Sequence, residues 1–182
     1  MENSKMESGA KGIKKSSSGA PSGSSEPRKR SGGWRKSSFS PADRDFLHKR
    51  GYLRDVEVKF PSEEVIPAPE PGWSVVFFAF FLRGFSLPAH DFLRGLLYIY
   101  GLQLHDLSPN ALLHISCFTT FCECFLGILP HWGLWKHLYS IKSQGDANGL
   151  FDVGSVSFSA KSSSYFSFNT VASCQGWREK WF

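Results

Sequence analysis

The feature that most constrains this chain is a long apolar stretch, residues 73–139, which holds most of the side chains able to build a core. Glycine and proline interrupt it at short intervals, as is typical of a bundle of short elements. With 17 Phe and 6 Trp among 182 residues, packed aromatic rings must form much of that core. The length fits one domain plus a tail, because domains cluster around ~100–150 residues.

The first 38 residues differ in composition, since they mix Ser, Gly and Lys with almost no aliphatic side chains. Such a segment cannot bury enough apolar surface to offset the entropy of ordering. We therefore predict a disordered tail over residues 1–38 and a folded domain over residues 39–182. Residues 1–37 carry nine Lys or Arg against three acids, a net charge of +6 that leaves the rest of the chain near −1. Any affinity for a polyanion is thus expected in the tail.

Basic residues within the tail are the candidate nucleic-acid contacts. Their clusters, separated by a flexible spacer, also have the layout of a bipartite nuclear-import signal, and a solvated basic arm is the alternative interpretation. The candidates are Lys14, Lys15, Arg28, Lys29, Arg30, Arg35 and Lys36.

Start and stop signals predict four helices. Each begins at a proline, two of them preceded by a serine cap, and three end at a glycine. The predicted helices run from Pro41 to about Arg50, from Pro88 to Gly101, from Pro109 to Gly127, and onward from Pro130. In the third, a stripe of Ala111, Ile115, Phe118, Cys122 and Phe125 predicts a buried face.

Strand signals are weaker. Alternation predicts a short edge strand at residues 56–60, before a proline-rich linker, and a hairpin within residues 153–173 that turns near 161–164. Residues 73–83 suit a buried strand or a buried helix, with β-branched and aromatic residues favouring a strand. The aromatic strand at residues 176–182 stops without a terminating signal, so we expect a truncated copy whose last strand leaves apolar surface and backbone unpaired. The predicted class is α+β: a compact core of three to four short helices with a few short strands, after a disordered basic tail.

The residues reveal no chemistry. None of the common hydrolase, phosphate-loop or metalloprotease motifs occurs, and His114, Cys117, Cys124 and His131 lack the short paired spacing of a zinc site, so a structural role in the core is favoured. We expect no enzyme activity, cofactor, metal or small-molecule substrate. The apolar run that ends at Arg83 is too short to span a membrane, and no secretory signal is present, which favours a nuclear or cytoplasmic location.

Several short motifs occur in a characteristic order. They are RGF and LP (83–88), YGL (100–102), HDL and PN (105–110), CE and FLGI (122–128) and LW (134–135), followed by FSFN (166–169), CQGW (174–177) and KWF (180–182). In these motifs the chain resembles the gypsy-type transposon domain of plants, a gag-like retrotransposon family that is sometimes labelled a transposase. The resemblance covers roughly residue 60 to the end, and the family offers no catalytic or binding residues to transfer.

The resemblance implies a non-catalytic, gag-like structural protein that self-associates through its body, with RNA or DNA as the expected partner of its basic tail. An alternative is a protein-interaction module of transposon origin whose tail directs nuclear import without binding nucleic acid. An active transposase or nuclease ranks last, because no metal-ligand cluster is visible in the sequence.

Overall fold

The computed structural model describes residues 33–143, 152–161 and 174–182. Within them it confirms the predicted α+β class, with five α-helices beside a two-stranded antiparallel sheet. The elements are α1 (Pro41–Lys49), α2 (Phe78–Phe81), α3 (Asp91–Tyr100), a 3₁₀ turn (Leu104–Asp106), α4 (Pro109–Thr120), a π-helix (Phe121–Leu126), α5 (Trp132–Leu138), β1 (Tyr139–Ser143), β2 (Val156–Ala160) and a second 3₁₀ turn (Trp177–Glu179).

Helix α1 begins and ends where its caps predict. The Ser40 side chain accepts a hydrogen bond from the Asp43 N–H, and the Asp43 carboxylate accepts one from the Ser40 N–H in return (3.0 Å), which satisfies two backbone donors at the helix start. Arg50 is the C-cap, and Gly51 follows at φ 74°. Asp43 also accepts a hydrogen bond from Lys180 Nζ (2.7 Å), so the helix is tied to the C-terminal segment.

Helix α3 ends at Gly101 as predicted, at φ 64°, but it begins at Asp91 and not at Pro88. The reason is that His90, and not the residue before Pro88, is the N-cap of this helix. His90 is extended and its Nδ1 accepts a hydrogen bond from the Phe92 N–H (3.0 Å), which starts the helix three residues later.

Helix α4 is capped by Ser108, whose Oγ accepts a hydrogen bond from the Ala111 N–H (3.1 Å). It continues into the π-helix, which ends at Gly127 as predicted. The predicted burial of Phe125 is wrong, because this side chain is 76% exposed. A π-helix closes i→i+5 hydrogen bonds, so its wider turn rotates later side chains off the α-helical stripe, while Cys122 at its start stays buried.

The sheet differs from the prediction in its partner strand. Strand β2 lies within the predicted hairpin, but it pairs with β1 in a register running from Tyr139 opposite Ala160 to Ser143 opposite Val156. The other half of the predicted hairpin, residues 162–173, lies outside the described residues.

The predicted edge strand at residues 56–60 is wrong, because this segment has no strand pairing. Its side chains pack on aromatic rings instead. Phe60 lies 5.8 Å from the Phe39 ring, and Lys59 Nζ lies 4.0 Å over the Trp73 ring. These side-chain contacts, and not strand pairing, attach the segment to the rest of the domain.

Residues 73–83 combine both alternatives that the sequence left open. Their first half is extended: the Val76 and Phe182 backbones exchange two hydrogen bonds of 3.0 Å, and the Phe78 N–H donates to the Lys180 carbonyl. The second half is the single turn α2, whose Phe80 and Phe81 are fully buried. This arrangement corrects the expectation of an unpaired C-terminal strand.

Trp181 is the centre of that C-terminal packing. It is 2% exposed, and its Nε1–H donates a hydrogen bond to the Arg35 carbonyl (2.7 Å). Its ring meets the buried Trp34 ring edge-on at 6.0 Å, and the Ser37 hydroxyl donates to the Trp181 carbonyl. Composition alone assigned residues 33–38 to the tail, whereas the structure packs them on the body.

A second aromatic cluster joins the helices to the sheet. The fully buried Trp135 stacks on Tyr139 at 4.3 Å, and the rings of Phe118, Phe158 and Phe92 surround it at 5.0–5.7 Å. Trp135 and Tyr139 form the i,i+4 pair that the sequence predicts on the last helix. This cluster fixes the positions of α4 and α5, between which the candidate surface opens.

Candidate interaction surface

The π-helix and the turn after it place five large apolar side chains on the surface, and Leu82 at the end of α2 adds a sixth. Phe125 and Leu129 protrude most, at 76% and 81% exposure. We call this set the apolar face; its members are Leu82, Phe121, Phe125, Leu126, Ile128 and Leu129. Residues 125–129 form a ridge within it, which the left-handed Gly127 bends outward at the helix end.

A groove of about 450 Å³ lies on one side of the ridge. Its walls come from the end of α2, from α4, from the π-helix and from the end of α5. The lining residues are Leu82, Arg83, Gly84, Leu113, Ser116, Cys117, Phe118, Thr120, Phe121, Phe125, Leu138 and Tyr139. Most of these are apolar, so this first groove suits an apolar side chain.

Gly84 allows the turn after α2, which forms one wall of the first groove, to lie close to α4. Its φ of 89° favours glycine, and a Cβ there would lie 2.6 Å from Ser116 Oγ. The Ser116 hydroxyl instead donates a 2.9 Å hydrogen bond to the Gly84 carbonyl. The RGF motif is therefore a structural contact between the turn after α2 and α4.

A second groove, of about 760 Å³, lies across the ridge between α3 and the turn before α5. His90 and Glu123 meet in its wall, with Nε2 and Oε1 2.9 Å apart. Because His90 Nδ1 already accepts from the Phe92 N–H, the neutral ring carries its proton on Nε2 and donates it to Glu123. This bond fixes the start of the π-helix to the start of α3.

Four titratable side chains in or next to the first groove have pKa values shifted in the direction that favours their neutral forms. Partial desolvation at the groove wall raises the pKa of the Cys117 thiol, and burial followed by the nearby Glu123 charge raises that of Cys122. Burial is also the main cause that raises the pKa of Tyr139 to about 12, and it lowers the pKa of His114. The Cys117 thiol and the Tyr139 phenol in the groove wall therefore offer contact surface and not an activated nucleophile.

Part of the predicted core role of the His and Cys residues is wrong. His114 is buried, as expected, but Cys117 and Cys124 are exposed. The departure from α-helical spacing at residue 121 turns Cys124 outward together with Phe125. In the parts of the chain that the structure describes, no three His, Cys, Asp or Glu side chains are grouped as metal ligands would be.

The predicted nucleic-acid residues fall in two groups. Lys14, Lys15, Arg28, Lys29 and Arg30 lie outside the described residues. Arg35 has an exposed side chain, while Lys36 forms an ion pair with Glu63 in the proline-rich linker. Both lie beside the buried Trp34, close to the first residue that the structure describes.

Sequence reasoning missed the apolar face, although a signal for it exists. Residues 125–130 read FLGILP, which places two apolar residues on each side of a helix-ending glycine. One helix face can bury only part of such a run, because the chain changes direction at the glycine. Exposed apolar residues after the helix end are the result.

The motifs of the resemblance can now be placed in the structure: RGF follows α2 as a turn, CE and FLGI lie in the π-helix and the ridge, and LW lies in α5. Residues 75–143 match the model of a family described as "Putative gypsy type transposon". The gypsy-type resemblance is confirmed over this segment. The match contains the first groove, the ridge and strand β1. No curated protein and no solved structure matches the chain.

The segments that the structure describes contain no helix with both the length and the apolar character needed to cross a bilayer.

Proposed function

We propose that this chain is a non-catalytic, gag-like structural protein of transposon origin, which self-associates through its body and contacts RNA or DNA through its N-terminal basic residues. The observation that carries the proposal is the apolar face, which lies within the segment matched by the transposon family. Contiguous exposed apolar surface of this kind marks interaction sites. The neutral groups beside it favour assembly over catalysis.

Charge supports a separate site for nucleic acid. The net charge of +6 in residues 1–37 contrasts with about −1 for the remainder. Phosphate binding needs cations that can approach the backbone of the nucleic acid and release its counterions. The body also pairs several of its cations with acids, such as Lys180 with Asp43 and Lys59 with Glu70.

The ion pair between Lys36 and Glu63 favours the alternative function at one position. A basic residue that is already neutralised contributes less to phosphate binding. If the other basic side chains of the tail are also paired with acidic residues, the chain is an interaction module whose basic clusters serve nuclear import.

Fluorescence anisotropy with a labelled single-stranded RNA tests the nucleic-acid contact on the full chain. Exchange of Lys14, Lys15, Arg28, Lys29 and Arg30 for Gln should remove most binding at 50 mM salt. The slope of log K against log salt should fall by roughly 3.5, since each neutralised phosphate contributes ~0.7 on single strands. The matched control exchanges five exposed body cations for Gln: Lys49, Arg54, Arg94, Lys136 and Lys142.

The control should bind RNA as the wild-type chain does. Equal loss in both variants would show a general charge effect and contradict the assignment to the tail. No salt-sensitive binding by the wild-type chain would leave the interaction module as the function. Metal-dependent cleavage of the RNA or of DNA would contradict the non-catalytic proposal.

A further inference from the structure

The apolar face contains a protruding element and a recess side by side. The ridge at residues 125–129 stands out from the π-helix, and the first groove opens next to it between Leu82 and Leu138. A surface that carries both shapes can be complementary to itself. Two copies related by a two-fold axis can then place each ridge in the other copy's groove, which is an isologous contact.

We infer that a second copy of this chain covers the apolar face, with the ridge of each copy packed in the first groove of the other. The inference rests on the self-association in the proposed function and names the surface that mediates it. It does not depend on the tail or on nucleic acid.

The area of the apolar face matches what a stable dimer needs. With roughly 200 Å² for a fully exposed Phe and roughly 120 Å² for Leu or Ile, the exposed fractions of its six residues amount to about 500 Å². A standard interface buries about 800 Å² on each partner, of which ~57–65% is apolar. The apolar part of such an interface is therefore also about 500 Å².

The charges around the ridge favour a copy of the chain over a polyanion. The ridge has no charged side chain, and Glu123, the one acid of the π-helix, is bonded to His90. Nucleic acid and anionic lipid require clusters of Lys or Arg at the contact, whereas Arg83 is the one basic residue among the described side chains that line the first groove. In the proposed packing each uncharged ridge meets that groove, so the contact pairs no like charges.

Three single variants of the full chain test the inference by sedimentation equilibrium in 0.5 M salt. Leu129→Glu alters the ridge and Leu82→Glu alters the groove. Tyr98→Glu is the matched control, since Tyr98 is 88% exposed and lies in neither groove lining. Circular dichroism checks that each variant keeps its helical content.

The wild-type chain and Tyr98→Glu should dimerise equally well. The ridge and groove variants should each weaken dimerisation at least about 100-fold, because the contact occurs twice in a two-fold dimer and central apolar anchors are hot spots. An equimolar mixture of the two variants should dimerise more strongly than either alone. In the mixed dimer, one normal ridge meets one normal groove.

A wild-type chain that stays monomeric at 100 µM would overturn the inference, and it would do so with or without RNA binding. Association that neither variant weakens would leave self-association intact but assign it to another surface. Mixed variants that fail to recover would exclude the packing of ridge into groove. A monomer that binds phospholipid vesicles through Leu129 would assign the face to a membrane surface and overturn the inference.

Discussion

Removal of the Trp181 side chain should be among the most damaging single changes in this protein. The indole is 2% exposed, donates a 2.7 Å hydrogen bond to the Arg35 carbonyl and meets the Trp34 ring edge-on. Its backbone bridges Phe77 in the extended segment before α2. The side chain thus ties the C-terminal segment 176–182 to residues 34–39, while its backbone ties the same segment to residues 75–78.

The expected magnitude follows from this burial. Trp181→Ala should lower the free energy of unfolding by about 3–5 kcal/mol, the usual cost of truncating a buried aromatic residue. At ~2–4 °C per kcal/mol for a chain of this size, the melting temperature should fall by roughly 6–20 °C. Trp181→Phe keeps most of the ring but leaves the Arg35 carbonyl without its donor, so about 1–2 kcal/mol is expected.

Thermal and urea denaturation followed by circular dichroism measure these differences. Trp73→Ala is the matched control, because it makes the same chemical change at a partly exposed site and should cost only ~1–2 kcal/mol. If Trp181→Ala costs no more than Trp73→Ala, the C-terminal segment is not part of the core and the reasoning is refuted.

Three further predictions test local features. Asp43→Asn should cost about 1 kcal/mol at pH 7. Burial alone would raise the pKa of Asp43, but hydrogen bonds from Lys180 and Ser40 outweigh it and hold the pKa below its ordinary value. The stabilisation is therefore present above pH 4 and lost as the pH falls through the folded-state pKa, so urea denaturation should show the two chains converging at low pH; a constant difference would contradict this. Gly84→Ala should destabilise the protein by about 1–3 kcal/mol. Gly95→Ala should stabilise it by about 0.5–1 kcal/mol, because a Cβ at Gly95 would have no neighbour within 4 Å. Melting temperatures that shift in the same direction in both variants would contradict this prediction. In a spectrophotometric pH titration, Tyr139→Phe should remove an ionisation step of a tyrosine near pH 12. If the step that disappears lies below pH 11 instead, Tyr139 is not buried.

Local signals predicted the helices well because helix ends are determined by nearby residues. Ser40 with Pro41, and Ser108 with Pro109, satisfy backbone donors within one turn of the chain, so their effect can be read from sequence. Gly127 ends its helix for a similarly local reason, since it adopts the left-handed conformation at low cost.

The features that sequence did not predict depend on distant partners or on a change of helix type. Strand β1 reads YSIKS, in which apolar Tyr139 and Ile141 alternate with polar residues over only four positions, too short a pattern to predict a strand; it forms because β2 supplies its hydrogen bonds. Trp34 looked like part of a polar tail because its partner Trp181 is nearly 150 residues away. The exposure of Phe125 follows from the π-helix. Burial was predicted from the 3.6-residue period of an α-helix, and that period does not apply where the helix widens.

We propose that assembly and nucleic-acid binding reside in different parts of the chain. Light scattering of the full chain with a single-stranded RNA, at 50 mM and at 1 M salt, tests it most directly. At 50 mM salt we predict assembled protein bound to RNA. At 1 M salt the RNA should dissociate while the protein stays assembled, because salt screens phosphate contacts and strengthens apolar ones only slightly. Protein that falls to monomers as the RNA leaves would show that charge alone holds the assembly together, and the account would be contradicted.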